Sequence, residues 1–412
     1  MNYEFPNITN ISDVLPAIEG RDEFVVAVKE GYTVINYNVM MADTFPDVIV
    51  DANGYGKLGG VYDIFDINAT LRRECRGIIF DTETGEIIRR PFHKFFNVNE
   101  RDETQDHVVD LSRPHAILEK LDGSMIAPFI VNGEMIWGTK MGATEVAQPV
   151  EEFVKNNPHY EEFRYLIGSG FTPIFEWCSR KQRIVLDYRE DQLVLTAIRD
   201  IKTGGYAPYD RLVSLAKSYG VPVVRQWDIS MQMDNKTMSS FVSYVRDLDN
   251  LEGFVVRFDD GHMLKLKCDW YVQIHKAKEK ILQDRNIVEL ILDDKLDDVK
   301  AHLPQEDRDR LTAFESDINK AVTAAFAHIM QILYYIDKAG IDRKSYAIKH
   351  APNLNGYVRP IVFKNFDTPF DMSLKIKILD DVRSTIRNNL TKTVKYEAIR
   401  DAWFPGVIYN EV

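Results

Sequence analysis

The ten residues ILEKLDGSMI at 117–126 place a lysine two residues before an Asp-Gly pair, a spacing that can do chemistry. Apolar residues lead in (Ile117, Leu118) and out (Met125, Ile126), and Asp122-Gly123 between two β-favouring runs predicts a hairpin turn. Lys120 then stands at a strand end, from which its amine can project into a cleft. A free lysine is almost fully protonated at neutral pH and cannot attack phosphorus in that state. Nearby positive charge and desolvation both favour the neutral amine, which can. An ordinary exposed turn would carry the same short pattern, so the rest of the chain decides.

The elements that must position such a lysine are sought in a chain of 412 residues, long enough for two domains. Hydrophobic content of 45% and charged content of 28% are those of a globular protein. No uninterrupted apolar run is long enough for a transmembrane helix. The start, MNYEFPNITNISDVL, lacks the basic and apolar regions of a signal peptide, so a cytoplasmic location is expected. Cys75, Cys178 and Cys268 form no close pair and no C-x-x-C, which argues against a disulfide framework and a zinc site. All three sit beside residues of chemical interest, and packing is the role expected for them. A net charge of −12 excludes a surface coated in positive potential but leaves room for a local basic groove.

Taken in order, EFVVAVKEGYTVINYNVM (23–40) reads as two strands around Glu-Gly. GYGKLGG (54–60) lacks the phosphate-loop spacing, so a loop is expected. RRECRGIIFD (72–81) starts basic and becomes a strand, and ETGE (83–86) turns it into the next. PFHKFFNVNE (91–100) packs aromatics around Lys94. This is either a core strand with a snorkelling lysine or the wall of a nucleotide pocket. Asn132-Gly133 turns the chain into EMIWGTK, extending an antiparallel meander over roughly 115–140. A helix is expected over 150–166, ended by Gly168 and Gly170. In the strand TPIFEWCSR, alternation places Ile174, Glu176 and Cys178 on one face. A glutamate in such company is expensive to bury unless it accepts hydrogen bonds.

QRIVLDY and DQLVLTAIRD read as paired strands, and 211–220 and 237–248 as helices. LEGFVVRF (251–258) turns through Asp259-Asp260-Gly261 into HMLKLKCDWY, where Lys265 and Lys267 share the face opposite Leu264, Leu266 and Cys268. Two lysines on one strand face are usually just solvated, but Glu252 stands at the start of the same hairpin. Beyond about 276 the character becomes helical: 273–282, 287–303, a long apolar-striped 306–338, and 369–403 with a basic stretch (Arg383, Arg387, Lys392, Lys395). The elements define an α+β protein, strand-rich over 1–275 and helical over 276–412.

K-x-D-G is the signature of enzymes that attack the α-phosphate of ATP or GTP and carry the nucleotide as a lysine phosphoramidate. The ordered set RECRG (73–77), PFHKFFN (91–97), EKLDGS (119–124), FEWCSRKQRIVLDY (175–188), LEGFVV (251–256) and KLKCDWY (265–271) resembles the tailed-phage (T-even type) RNA ligases that repair tRNA, within the covalent nucleotidyltransferase superfamily. DRKSYA (342–347) resembles the same ligases. The resemblance implies an antiparallel-sheet nucleotidyltransferase (ATP-grasp-like ligase) domain followed by an all-helical domain that selects RNA. It implies Lys120 as the nucleophile that becomes lysine–AMP. Arg76 and Lys94 would contact phosphates or ribose, and Glu176 the ribose hydroxyl. Glu252 would sit beside the reacting lysine and assist the metal, while Lys265 and Lys267 would bind the α-phosphate. Tyr37 and Lys140 would contact the nucleotide, and Asp297 and Asp298 would hold a metal. Leu121 departs from the family, which carries an acidic residue after its lysine.

ATP and Mg²⁺ are the implied cofactors, since hard oxygen ligands suit Mg²⁺. The implied partner is single-stranded RNA or nicked tRNA with 5′-phosphate and 3′-hydroxyl ends, prepared by an end-healing kinase/phosphatase. A monomer in the cytoplasm, the host's if the gene is a phage's, is expected. Two other readings are weighed: a DNA ligase or mRNA capping guanylyltransferase, which would continue into a strand-rich OB module, and a non-catalytic nucleotide- or RNA-binding module.

Overall fold

The structure is a computed structural model that describes residues 3–41, 43–50, 64–182, 184–228 and 237–409. The segment GYGKLGG at 54–60 lies outside them. The chain divides into two compact units, Met1–Val272 and Gln273–Val412.

The first unit opens with α1 (Leu15–Ile18), β1 (Phe24–Lys29), β2 (Tyr32–Tyr37), β3 (Ile49–Val50) and β4 (Ile64–Phe65). Then come α2 (Ile67–Glu74), β5 (Ile78–Asp81), β6 (Ile87–Arg89), β7 (Phe96–Asn97), β8 (His115–Lys120), β9 (Ser124–Val131) and β10 (Glu134–Gly138). Next are α3 (Gln148–Asn156), α4 (Phe163–Gly168), β11 (Phe171–Cys178), β12 (Gln192–Asp200), α5 (Tyr209–Tyr219) and α6 (Met238–Arg246). β13 (Gly253–Phe258) and β14 (Met263–Lys267) follow. Three four-stranded sheets result, in the orders β1-β2-β5-β6, β10-β9-β11-β12 and β7-β14-β13-β8, with β3-β4 as a separate ribbon.

The turn at Asp122-Gly123 is not a hairpin. β8 pairs with β13, whereas β9 pairs with β10 and β11, so the chain crosses between two sheets there. The cause is long-range. The Asp122 carboxylate accepts hydrogen bonds from the Val185 and Leu186 amides, both at 2.7 Å, and from the Tyr271 hydroxyl at 2.6 Å. A buried carboxylate must be satisfied in this way. Gly123 lies so close to the Trp177 carbonyl that a Cβ would sit 2.3 Å from its oxygen. Only β9 and β10 form the expected meander, around Asn132 and Gly133 at φ 52° and 81°.

The same carboxylate explains a second difference. QRIVLDY forms no strand in its described part; it is looped around Asp122, whose amide donates to the Tyr188 hydroxyl at 2.9 Å. The helix expected over 150–166 is two, because Pro158 forces Asn157 out of helical geometry (ψ 71°).

Apolar faces turn the cationic faces inward to a cleft. Ile126, Trp137, Phe163, Phe175, Trp177 and Leu195 pack the second sheet on α3, α4 and α5. Phe254, Val256, Leu264 and Leu266 pack the third on Phe241 and Val245 of α6. At about 1.5–3 kcal/mol per buried side chain of this kind, these rows fix each strand's facing. Period two then puts Lys265 and Lys267 opposite.

From α7 (Asp269–Lys280) onward, no strand follows β14 among the described residues. The second unit holds α8 (Asp284–Leu292), α9 (Leu296–Lys300), α10 (Gln305–Ala339), α11 (Arg343–Lys349), α12 (Val358–Lys364), α13 (Met372–Asn389) and α14 (Thr393–Trp403). The expected 287–303 helix breaks at Asp294, whose φ of 54° no α-helix contains. The stripe Leu311, Phe314, Ile318, Val322, Ile329 and Leu333 of α10 is buried in this unit's core. The fold class is α+β, as expected.

Candidate active site

β13 assembles the reactive row. Gly253 pairs with Lys120 on one side and with Lys267 on the other, which brings both lysines level with Glu252. Gly253 has φ 145°, and a Cβ there would lie 2.0 Å from the Leu266 carbonyl oxygen, so glycine is required. Glu252 is buried, and its Oε1 accepts from Lys120 Nζ at 2.8 Å and from Lys267 Nζ at 2.8 Å. One carboxylate is thus shared by two ammonium groups. The Lys267 amine also sits 4.8 Å from the Tyr271 ring centroid.

A cavity of about 270 Å³ opens beside this row. Lys120, Tyr37, Arg76, Lys94, Glu176 and Lys265 line it, together with Leu118, Leu121, Val255 and Met263. Among the described residues Lys265 makes no ion pair. Burial, with Lys94 and Arg76 nearby, pushes its amine down to about 7. The alternation Val255↔Lys265 in the β13–β14 pairing points it at the cleft. Glu176 projects from β11 opposite Met125. Burial pushes its carboxyl up to about 7, against the pull of Lys120 and with the help of Glu252.

Arg76 follows α2, which is anchored by the buried Glu74. Glu74 accepts from Arg90 Nε at 3.0 Å and from Arg199 Nη1 and Nη2, both at 2.8 Å. Burial works against its charge, but Arg199 and Arg90 hold it down at about 2. The Arg76 guanidinium makes a long bond (3.5 Å) to the Phe92 carbonyl and lies against the Tyr37 hydroxyl.

Lys94 sits among aromatic faces, 5.4 Å from the Tyr37 ring centroid, 5.7 Å from Phe45 and 5.3 Å from Phe96. Burial lowers its pKa. Lys140 lies past the end of β10, and its Nζ is 5.0 Å from the Tyr37 ring centroid. Burial resists ionisation of Tyr37, yet Lys94, Arg76 and Lys140 together hold its hydroxyl below the ordinary value.

Eight of the residues singled out in the sequence therefore meet in or beside one cleft, and Lys140 joins them through Tyr37. Asp297 and Asp298 belong to the second unit. They are exposed in the first turn of α9 in the second unit, where acidic residues suit the helix N-terminus, and Asp297 lies 3.7 Å from Lys300. Among the described residues no group of three or more His, Cys, Asp or Glu is placed to hold a metal. All three cysteines are buried and unbridged.

Two residues were not given roles in the sequence. Asp122 is the hub that fixes the segment after Lys120. Arg257, buried and lining the cavity, continues the Val255 face of β13. The alternation of Phe254, Val256 and Phe258 as core residues is the signal that could have found it.

Residues 74–271 match the family model for RNA ligases. A Thermovibrio ammonificans protein named as an RNA ligase is 29% identical over 276 residues, 64% of this chain and 70% of its own length. RNA ligase 1 of bacteriophage TS2126 is 27% identical over 269 residues, 63% of this chain and 65% of its own. An archaeal ATP-dependent RNA ligase structure aligns at 16% identity and a TM-score of 0.38, covering 68% of this chain and 64% of that one. The likeness to RNA ligases thus lies in residues 74–271, just under half of the chain, and in the two curated relatives.

Among the described residues no helix is long and apolar enough to cross a membrane.

Proposed function

We propose that Lys120 carries AMP between ATP and RNA. The observation that supports this best is the Glu252 carboxylate shared by Lys120 and Lys267 beside a cavity that Lys120 and Lys265 line. In the first step the neutral Lys120 amine attacks the α-phosphorus in line with the leaving pyrophosphate. The P–O bond breaks, and the amine's proton leaves towards Glu252. Lys265 and Lys267 neutralise the non-bridging oxygens, where charge develops. In the second step an oxygen of an RNA 5′-phosphate displaces Lys120 from phosphorus, and in the third an RNA 3′-hydroxyl displaces AMP.

Arg76 and Lys94 hold the remaining phosphate oxygens or the ribose, Glu176 accepts from a ribose hydroxyl, and Tyr37 with Lys140 closes the nucleotide side. Glu252 and Glu176 would be the protein carboxylates for Mg²⁺, which the nucleotide's own phosphates would mainly hold and whose charge would neutralise those phosphates. The ends joined are a 5′-phosphate and a 3′-hydroxyl, so a kinase and phosphatase activity must prepare broken RNA. A nicked tRNA is the substrate that the family resemblance favours, and the helical unit is the selector, with the protein acting as a monomer in the cytoplasm.

The test supplies ATP or GTP with 5′-phosphorylated RNA, nicked tRNA or nicked DNA. Sealing of the RNAs with ATP supports the reading. Sealing confined to nicked DNA, or use of GTP alone, contradicts it.

A further inference from the structure

Arg257 is a buried guanidinium without a partner. It is 6% exposed, its Nη1 has no hydrogen-bond partner, and no carboxylate lies within ion-pair reach among the described residues. Burial without a counter-charge is costly for any cation. Elsewhere in this unit the buried arginines are satisfied: Arg73 by Glu103 at 2.6 Å, Arg90 and Arg199 by Glu74, and Arg89 by the carbonyls of Gly77, Ala127 and Thr139. Arg257 lines the cavity, so a bound molecule can supply the missing acceptor.

Its place on β13 says which part of that molecule. Gly253 pairs with Lys120, and Arg257 pairs with Ala116, four residues further along both strands. At about 3.3 Å of rise per residue, the two positions are roughly 13 Å apart. That is on the scale of a nucleotide extended from its α-phosphate to the outer edge of its base. The walls between them, Leu118, Val224, Val255 and Met263, are apolar and suit a flat ring better than a phosphate. The anionic end is already provided for by Lys120, Lys265 and Lys267.

Resting on the lysine–AMP reading, we infer that Arg257 is the base-reading residue of the site, donating to a ring nitrogen, N1 or N7, on the outer edge of the ATP purine. A guanidinium has five donors and no acceptor, so an acceptor edge is what it can recognise. Arg257 takes no part in bond making; it is a specificity-determining contact.

The test measures adduct formation on Lys120 with ATP, 1-deaza-ATP and 7-deaza-ATP, in wild type, Arg257→Met and Arg257→Lys. Wild type should use one of the two analogues with a KM raised about tenfold to a hundredfold, the range of a lost hydrogen bond to a charged donor. Arg257→Met should show a similar rise in KM for ATP itself, little change in kcat, and no further penalty with that analogue. Arg257→Lys should keep part of the discrimination. Equal use of ATP and both analogues by wild type overturns the inference without any variant. A penalty that persists undiminished in an active Arg257→Met or Arg257→Lys protein overturns it too. No adduct with any nucleotide in wild type would instead overturn the lysine–AMP reading.

Discussion

Two groups of buried charge lie in the first unit, and they are built on opposite terms. Around Glu74 every guanidinium nitrogen is bonded within the protein: one carboxylate takes three bonds from Arg90 and Arg199, their remaining nitrogens donate to backbone carbonyls, and all three residues are sealed from solvent. Around Lys120 the cations outnumber their partners. Glu252 is divided between two lysines, while among the described residues Lys265 and Arg257 make no ion pair and Arg257 Nη1 has no acceptor. Buried cations whose nitrogens are all bonded fix structure, and buried cations left without acceptors cost stability until a polyanion arrives. The contrast separates scaffold from site without reference to any motif.

Substitutions can break that contrast. Glu74→Ala leaves two arginines buried and unpaired. It should lower unfolding free energy by about 3–5 kcal/mol, read from urea denaturation. Lys265→Met should do the reverse: the protein is at least as stable, but the rate of adduct formation falls on the order of 10²–10³-fold, as for other lost transition-state donors. A parallel loss of stability in Lys265→Met would place that lysine with the scaffold.

Glu176 sharpens the comparison through pH. Its carboxyl is raised from 4.5 to about 7, so the folded state prefers it neutral. The stability it contributes is fully present below about 4.5 and is lost as pH rises through about 7. Glu176→Gln should therefore lose less stability than wild type between about pH 5 and about pH 8, measured by thermal melts. An identical pH dependence in both proteins would show that the carboxyl titrates normally.

The smallest effect is expected in the second unit. Arg387 is paired with Asp293 at 2.7 Å and Arg383 lies 3.8 Å from Asp294, whereas Lys392 and Lys395 are exposed. Reversing both lysines to Glu should leave Lys120 labelling unchanged and weaken RNA sealing by a few-fold, more at low salt than at high. A strong loss of labelling would assign them to the first chemical step instead.

Much of the site was legible because it rests on short-range rules. Alternation along β14 placed Lys265 and Lys267 together, and Glu252 announced itself by opening the same hairpin. What escaped was long-range. Asp122-Gly123 has the composition of a hairpin turn, yet three distant donors claim its carboxylate and send the chain into another sheet. That same carboxylate holds QRIVLDY out of strand form. Arg257 carries no signal of its own in the sequence, since nothing local tells that its surroundings lack an acceptor. In the helical unit the stripe on α10 was readable, but the break at Asp294 is a single left-handed residue that apolar periodicity passes over.

The central claim is that Lys120 is the nucleophile, and one measurement addresses it. Protein freed of nucleotide is incubated with Mg²⁺ and ATP labelled at the α-phosphate, denatured and digested, and the labelled peptide is sequenced. The account predicts acid-labile label on Lys120 alone, discharged by 5′-phosphorylated RNA and absent from Lys120→Ala. Label on another residue, or undiminished labelling of Lys120→Ala, would contradict it.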